Sequence, residues 1–233
     1  MRQFHLNDIA KISGLRWQEP KTFNVIPISR LTSKVLCERH NNALSFLDAT
    51  VDKFARTIQK FDHGFRPGST RPPKEERVFS GNDIERWMLK CLIGMVVSAN
   101  LNNVSLRAEC IDLLFDRIDW PEGWGLYWRD SQNGTIYHSE SFAVETHIDP
   151  SRTVRIATFV IRGMPLTLCL GKPDDPTSFG IRRPTALVFR STDRERAIVL
   201  NWHGPHDDRA ILLNRAGTYD GPPPNWEDWE KKL

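Results

Sequence analysis

Between residues 84 and 97 ten of the fourteen positions are large and apolar, and this one segment constrains the fold more than any other. Ile84, Trp87, Met88, Cys91, Leu92 and Met95 keep helical spacing, while Leu89, Ile93, Val96 and Val97 fill the opposite side. A helix that is apolar nearly all round has no face to give to water, so it belongs at the centre of a core. Ser80-Gly81-Asn82-Asp83 stand just before it and offer side chains to cap its first amides. The longest apolar run, Trp87 to Ala99, carries Lys90 and is too short to span a bilayer, so no membrane partner is expected. The rest of the chain must cover this helix.

Two further helices are expected on that account. Leu44, Leu47, Val51, Phe54, Ala55 and Ile58 fall three and four apart, which marks one face of a helix that starts between Glu38 and Asn42 and reaches about Phe61. Leu106, Cys110, Leu113, Leu114 and Phe115 mark another over about 106–118, ending before Pro121. Between the first two helices, residues 62–77 lose periodicity through Gly64, Pro67, Gly68, Pro72 and Pro73, and read as a loop. After Gly123 the text changes to short β-rich runs: 125–129, 135–148, 154–162, 165–170, 186–191, 197–202 and 210–214. Short connections, such as 131–134 and 162–164, favour hairpins and hence antiparallel pairing. The expectation is an α+β protein folded as one compact unit, with helices over 1–122 packed on a single curved antiparallel sheet of five to seven strands over 123–233.

Composition excludes some classes. The 32 basic residues face 29 acidic ones, so a net charge of +3 does not by itself imply nucleic acid; any basic surface must come from local clustering. Cys37, Cys91, Cys110 and Cys169 are widely scattered, and three lie in apolar runs, which fits buried free thiols in a reducing compartment. With no signal-peptide plan at Met1-Arg2-Gln3-Phe4-His5, a cytoplasmic location is expected. No P-loop, dinucleotide glycine motif or Gly-x-Ser-x-Gly elbow occurs, and no catalytic residue is assigned.

The densest motif is Asn24-Val25-Ile26-Pro27 followed by Cys37-Glu38-Arg39-His40-Asn41-Asn42. Over about residues 23–48 it resembles the HNH (ββα-metal) endonucleases of bacterial and phage proteins. There a strand ends in a His-x-Ile-Pro-like run and a loop leads to a cysteine knuckle, an asparagine and a helix. The resemblance implies that Cys37 and His40 stand as knuckle ligands and Asn41 as the orienting asparagine. Two departures follow. Asn24 occupies the place of the family's general-base histidine, and an amide takes no proton from water near neutral pH. No cysteine precedes Cys37, so the upstream Cys-x2-Cys is missing, and two ligands rarely hold a structural zinc. Zinc is therefore the metal in view, but not at full occupancy. The alternative is that Cys37 and His40 simply cap and pack a helix start.

Other clusters also gather groups able to do chemistry or bind a partner. His203-Gly204-Pro205-His206-Asp207-Asp208 gathers ligand types; His203 and His206 would complete a mixed site with Cys37 and His40, bind an ion alone, or form a solvated turn. Glu145, His147 and Asp149 alternate and share one strand face, either an acid–base surface or the wet side of a sheet. Basic residues gather at Arg66, Arg71, Lys74 and Arg77, and again at Arg182-Arg183, where they would meet the phosphates of DNA or RNA. The tail at 219–233 sets Trp226 and Trp229 in acidic company and offers anchors for a protein partner. The leading expectation is a nuclease-related module that binds nucleic acid, or regulates a nucleoprotein complex, without cleaving. A protein-binding adaptor of phage or defence systems and a metal-dependent hydrolase using the His203–Asp208 cluster are the alternatives.

Overall fold

The computed structural model describes residues 9–13, 24–27, 36–63, 74–98, 104–128, 134–138, 142–175, 179–190 and 195–218. In chain order the elements are β1 (Ile9–Ser13), β2 (Asn24–Pro27), α1 (Glu38–Ala43), α2 (Ser45–His63), β3 (Lys74–Ser80), α3 (Gly81–Ser98) and α4 (Glu109–Leu114). They continue with β4 (Gly125–Trp128), β5 (Gly134–His138), β6 (Phe142–Ile148), β7 (Val154–Ile161), β8 (Met164–Cys169), β9 (Ile181–Arg182), β10 (Pro184–Arg190), β11 (Glu195–Asn201) and β12 (Asp207–Thr218). The class is α+β, as the sequence led us to expect. No helix among the described residues is long and apolar enough to cross a membrane.

Two sheets replace the single one expected. One has the order β2-β1-β6-β7-β8-β4-β9 and the other β3-β11-β10-β12-β5. Each recruits strands from both halves of the chain: β1 pairs parallel with β6, and β3 pairs parallel with β11. The change of texture near residue 123 is therefore a change of local propensity within interlocked sheets.

The second sheet is mixed, because β10 runs parallel to β12 and β12 parallel to β5. The 162–164 connection is a true hairpin, with Arg162 (φ 55°) and Gly163 (φ 78°) in the left-handed conformations of a primed turn. The 131–134 connection is not one: β4 pairs with β8 and β9, whereas β5 pairs with β12 in the other sheet. A further surprise is β3, which occupies residues assigned to a loop. Its Lys-Glu-Glu-Arg run lies at the margin of the second sheet, where charges are tolerated.

Helix α3 sits in the core, as its all-round apolarity demands. Ile84, Met88, Leu89 and Leu92 are fully buried, and the helix touches β8 of one sheet and β11 of the other. Trp87 is 1% exposed and meets Phe142 edge-on at 6.1 Å and Phe159 at 6.0 Å, both in the first sheet. Ser80 caps the helix by accepting the Asp83 amide at 3.1 Å. Lys90 is neutralised by Asp48 at 2.7 Å and also donates to the Leu44 carbonyl, which anchors α2. Helix α2 then reaches the second sheet through Phe54 on Phe79 (5.5 Å) and Phe61 on Phe189 (5.6 Å). Each such buried side chain contributes about 1.5–3 kcal/mol.

Candidate functional site

The strongest polar constellation was not among the sequence candidates. Glu85, on α3, is completely buried, and Arg183, between β9 and β10, is 2% exposed. The two pair in fork geometry, Nε to Oε1 at 2.9 Å and Nη2 to Oε2 at 2.9 Å. Oε1 also accepts the Leu126 amide at 2.6 Å, and the Arg183 amide donates to the Leu126 carbonyl at 2.8 Å. Arg183 Nη1 reaches the Pro205 carbonyl at 3.3 Å. The guanidinium also faces the rings of Trp120 at 5.9 Å and Trp202 at 5.5 Å. One ion pair thus joins α3, β4, the β9–β10 junction and the loop after β11. Burial pushes the Glu85 carboxyl above its ordinary value, against the pull of Arg183 and the Leu126 amide.

Local backbone features serve this node. Arg183 itself adopts φ 49°, uncommon for a residue with a Cβ. Gly125 has φ 121°, and a Cβ there would stand 2.5 Å from Glu85 Oε1, so the position admits no side chain. Gly81 lies under the Trp202 ring, where a Cβ would meet ring carbons at 2.5 Å. Trp202 is fixed in turn by its Nε1–H, which donates to the Pro184 carbonyl at 2.9 Å.

The His203–Asp208 loop owes its shape to the same node. Strands β11 and β12 lie on opposite sides of β10, so residues 202–206 arch over the start of that strand. Arg183 holds the arch from below through Pro205, and Asn82 holds its side by accepting the His203 amide at 2.7 Å. His203 and His206 are exposed. His206 Nδ1 lies 3.1 Å from the Gly204 carbonyl, and its Nε2 is 3.6 Å from Asp208, whose side chain is 99% exposed. Asp207 is committed to Arg209, at 2.6 and 2.8 Å, which lowers its pKa.

The knuckle is a smaller feature. Cys37 precedes α1, with its Sγ 3.2 Å from His40 Nδ1, and both are exposed. The His40 ring packs at 5.2 Å on Phe115, just after α4, whereas His203 is tied to the start of α3. The four expected metal residues are thus held by different elements. Among the described residues no group of three or more His, Cys, Asp or Glu side chains could hold a metal ion. Asn41 is an exposed residue of α1, and Asn24 opens β2 opposite Ile12.

The remaining candidates divide. Arg66 and Arg71 lie outside the described residues, as does the tail with Trp226 and Trp229. Lys74 and Arg77 belong to β3, not to a loop, and Arg77 is paired with Glu75 at 2.9 Å. Arg183, expected at a phosphate surface, is instead consumed by Glu85. Arg182 stays half-buried, and its Nε donates to the Trp124 carbonyl at 2.9 Å. Glu145 and His147 alternate with the buried Phe142 and Val144 along β6, on the wetter face. Asp149 caps a turn by accepting Ser151 Oγ and the Thr153 amide.

The buried pair left one sequence signal. Glu85 is a carboxylate inside a helix apolar all round, and a charge in that position needs a buried cation. Nothing in the sequence indicated which of the basic residues supplies it. No protein-family model, curated protein or solved structure matches the chain.

Proposed function

We propose that the chain is a nuclease-related module that binds nucleic acid without cutting it. The observation that carries this reading is the order of the N-terminal elements. β1 and β2 pair antiparallel, Ile9 opposite Pro27 and Ile12 opposite Asn24, and α1 follows with Cys37 and His40 at its start. That order resembles the strand–strand–helix order of the ββα-metal element, and Asn24 stands where the base would be. An amide there would leave attacking water unactivated, which supports binding of a phosphodiester without its hydrolysis.

The test is a retention and integrity assay on labelled single- and double-stranded DNA and RNA at low salt, with magnesium, manganese or zinc. The reading expects bound, intact strands, with affinity falling steeply as salt rises. Cleavage that disappears in His40→Ala would make the protein an active nuclease. Cleavage that disappears in His206→Ala would move the chemistry to the arch. Absence of binding to any strand would replace this reading with the adaptor, with Trp226 and Trp229 as its anchors.

A further inference from the structure

Two groups of arginines stand out among the described residues. Arg56, Arg77, Arg117, Arg190 and Arg209 are exposed, yet each has a carboxylate within hydrogen-bond reach, at 2.6 to 3.2 Å. Such pairs present little net field to an incoming anion. Arg107, Arg155 and Arg182 are different: among the described residues none of them has a carboxylate in ion-pair contact, and the three converge on one place.

The convergence is built by the fold. Ser105 and Thr153 form a parallel bridge, with the Val154 amide donating to the Ser105 carbonyl at 3.0 Å. Arg107 and Arg155 each stand two residues beyond it. Arg107 lies over the Trp124 ring at 5.3 Å, and Arg182 donates to the Trp124 carbonyl. Arg155 packs over Gly171, and its Nη2 reaches the Lys172 carbonyl at 3.4 Å; Lys172 in turn lies against Gly123.

The nearby acids hydrogen-bond elsewhere, although Glu122 and Asp149 feel Arg182 and Arg155 through space. Glu122 accepts Lys172 at 2.7 Å, and Asp149 is taken by Ser151 and Thr153. Glu109 and Asp174 are exposed residues two positions from Arg107 and from Lys172. They bound the cluster without pairing with it. Arg182 is the informative member. It is half-buried, its Nε donates to a neutral carbonyl, and Arg183 sits next to it. Burial foremost, and then the like charge of Arg183, lower its pKa. A cation left so is stabilised by an external anion.

We infer that Arg107, Arg155 and Arg182, grouped around Trp124, form a phosphate-binding surface that takes the phosphodiester backbone of a nucleic acid. This inference rests on the nucleic-acid reading above and gives it a location built from residues other than Cys37 and His40. Guanidinium forks suit phosphate oxygens, and the surface would read the backbone and not the base sequence.

The experiment measures binding of a labelled single strand and a labelled duplex to the full chain across a salt series. The triple variant Arg107→Gln/Arg155→Gln/Arg182→Gln is expected to lose about tenfold or more in affinity at low salt, with a slope of log affinity against log salt shallower by roughly 2 to 3. A control triple, Arg56→Gln/Arg117→Gln/Arg190→Gln, should bind like the wild type. Arg107→Glu alone, at an exposed side chain, keeps the test available if the triple variant fails to fold, and should weaken binding on its own. Wild-type binding that survives both variants unchanged overturns the surface and leaves the nucleic-acid reading standing. A wild type that retains heparin but neither DNA nor RNA overturns both.

Discussion

The Glu85–Arg183 pair and the Cys37–His40 pair are opposite ways of placing two reactive side chains together. The first spans 98 residues of sequence, is buried, and ties four parts of the molecule. The second spans three residues, is exposed, and leans on one ring, Phe115. Sequence spacing reveals the second at once and hides the first. The comparison teaches that a motif legible from spacing is local by construction, whereas the contacts that fix a fold join distant segments and leave only an unexplained charge in an apolar run.

The largest effect expected from this contrast is at the buried pair. Arg183→Met removes the counter-charge of a fully desolvated carboxylate and should cost about 3–5 kcal/mol in urea unfolding. Cys37→Ser, at the exposed pair, should stay within about 0.5 kcal/mol. Equal losses would erase the distinction. Next comes the helix that carries Glu85. Trp87→Ala should cost about 3–5 kcal/mol, since the indole is buried against Phe142 and Phe159. An unchanged melt would mean that α3 is not the centre of the core.

A smaller loss separates the node from its surroundings. Gly125→Ala combines a left-handed φ with a Cβ 2.5 Å from Glu85 Oε1, so more than about 1 kcal/mol is expected. Alanine tolerated there would show that the carboxylate can shift.

The smallest effect concerns the arch. Asp207 has its pKa lowered by Arg209, so its contribution is present above the ordinary aspartate value of 3.8 and is lost as pH falls through the lowered one. Glu75, lowered by Lys60 and Arg77, acts in the same sense below 4.5. Amide-exchange protection factors at residues 207–209, corrected for intrinsic rates, should therefore fall below about pH 4, and Asp207→Asn should abolish that fall at a cost of about 0.5 kcal/mol. Protection insensitive to acid would leave the arch held by Arg183 and Asn82 alone.

The sequence was informative where periodicity carries the information. The apolar wrap of α3, the face of α2 and most C-terminal strands follow from spacing and β-propensity. Pairing partners did not, because the rule that short connections make hairpins concerns neighbours in sequence. Here β12 crosses β10 by an arch of five residues, and β3 and β1 enter the sheets from the helical half. Residues 74–77 of β3 read as loop because prolines at 72 and 73 and a charged run mask a strand at the sheet margin. The arginines show the same limit. Adjacent Arg182 and Arg183 are indistinguishable by composition, yet one faces into the core toward Glu85 and the other toward the Trp124 carbonyl.

The fold is organised by its buried ion pair, and in the function proposed above Cys37 and His40 are a remnant of a metal knuckle. Thermal unfolding of the purified chain before and after exhaustive chelation, with zinc content measured on the same sample, tests it most directly. The account predicts less than one zinc per chain and superimposable melts. Stoichiometric zinc whose removal unfolds the protein would contradict it, and would make Cys37 and His40 ligands of a working site.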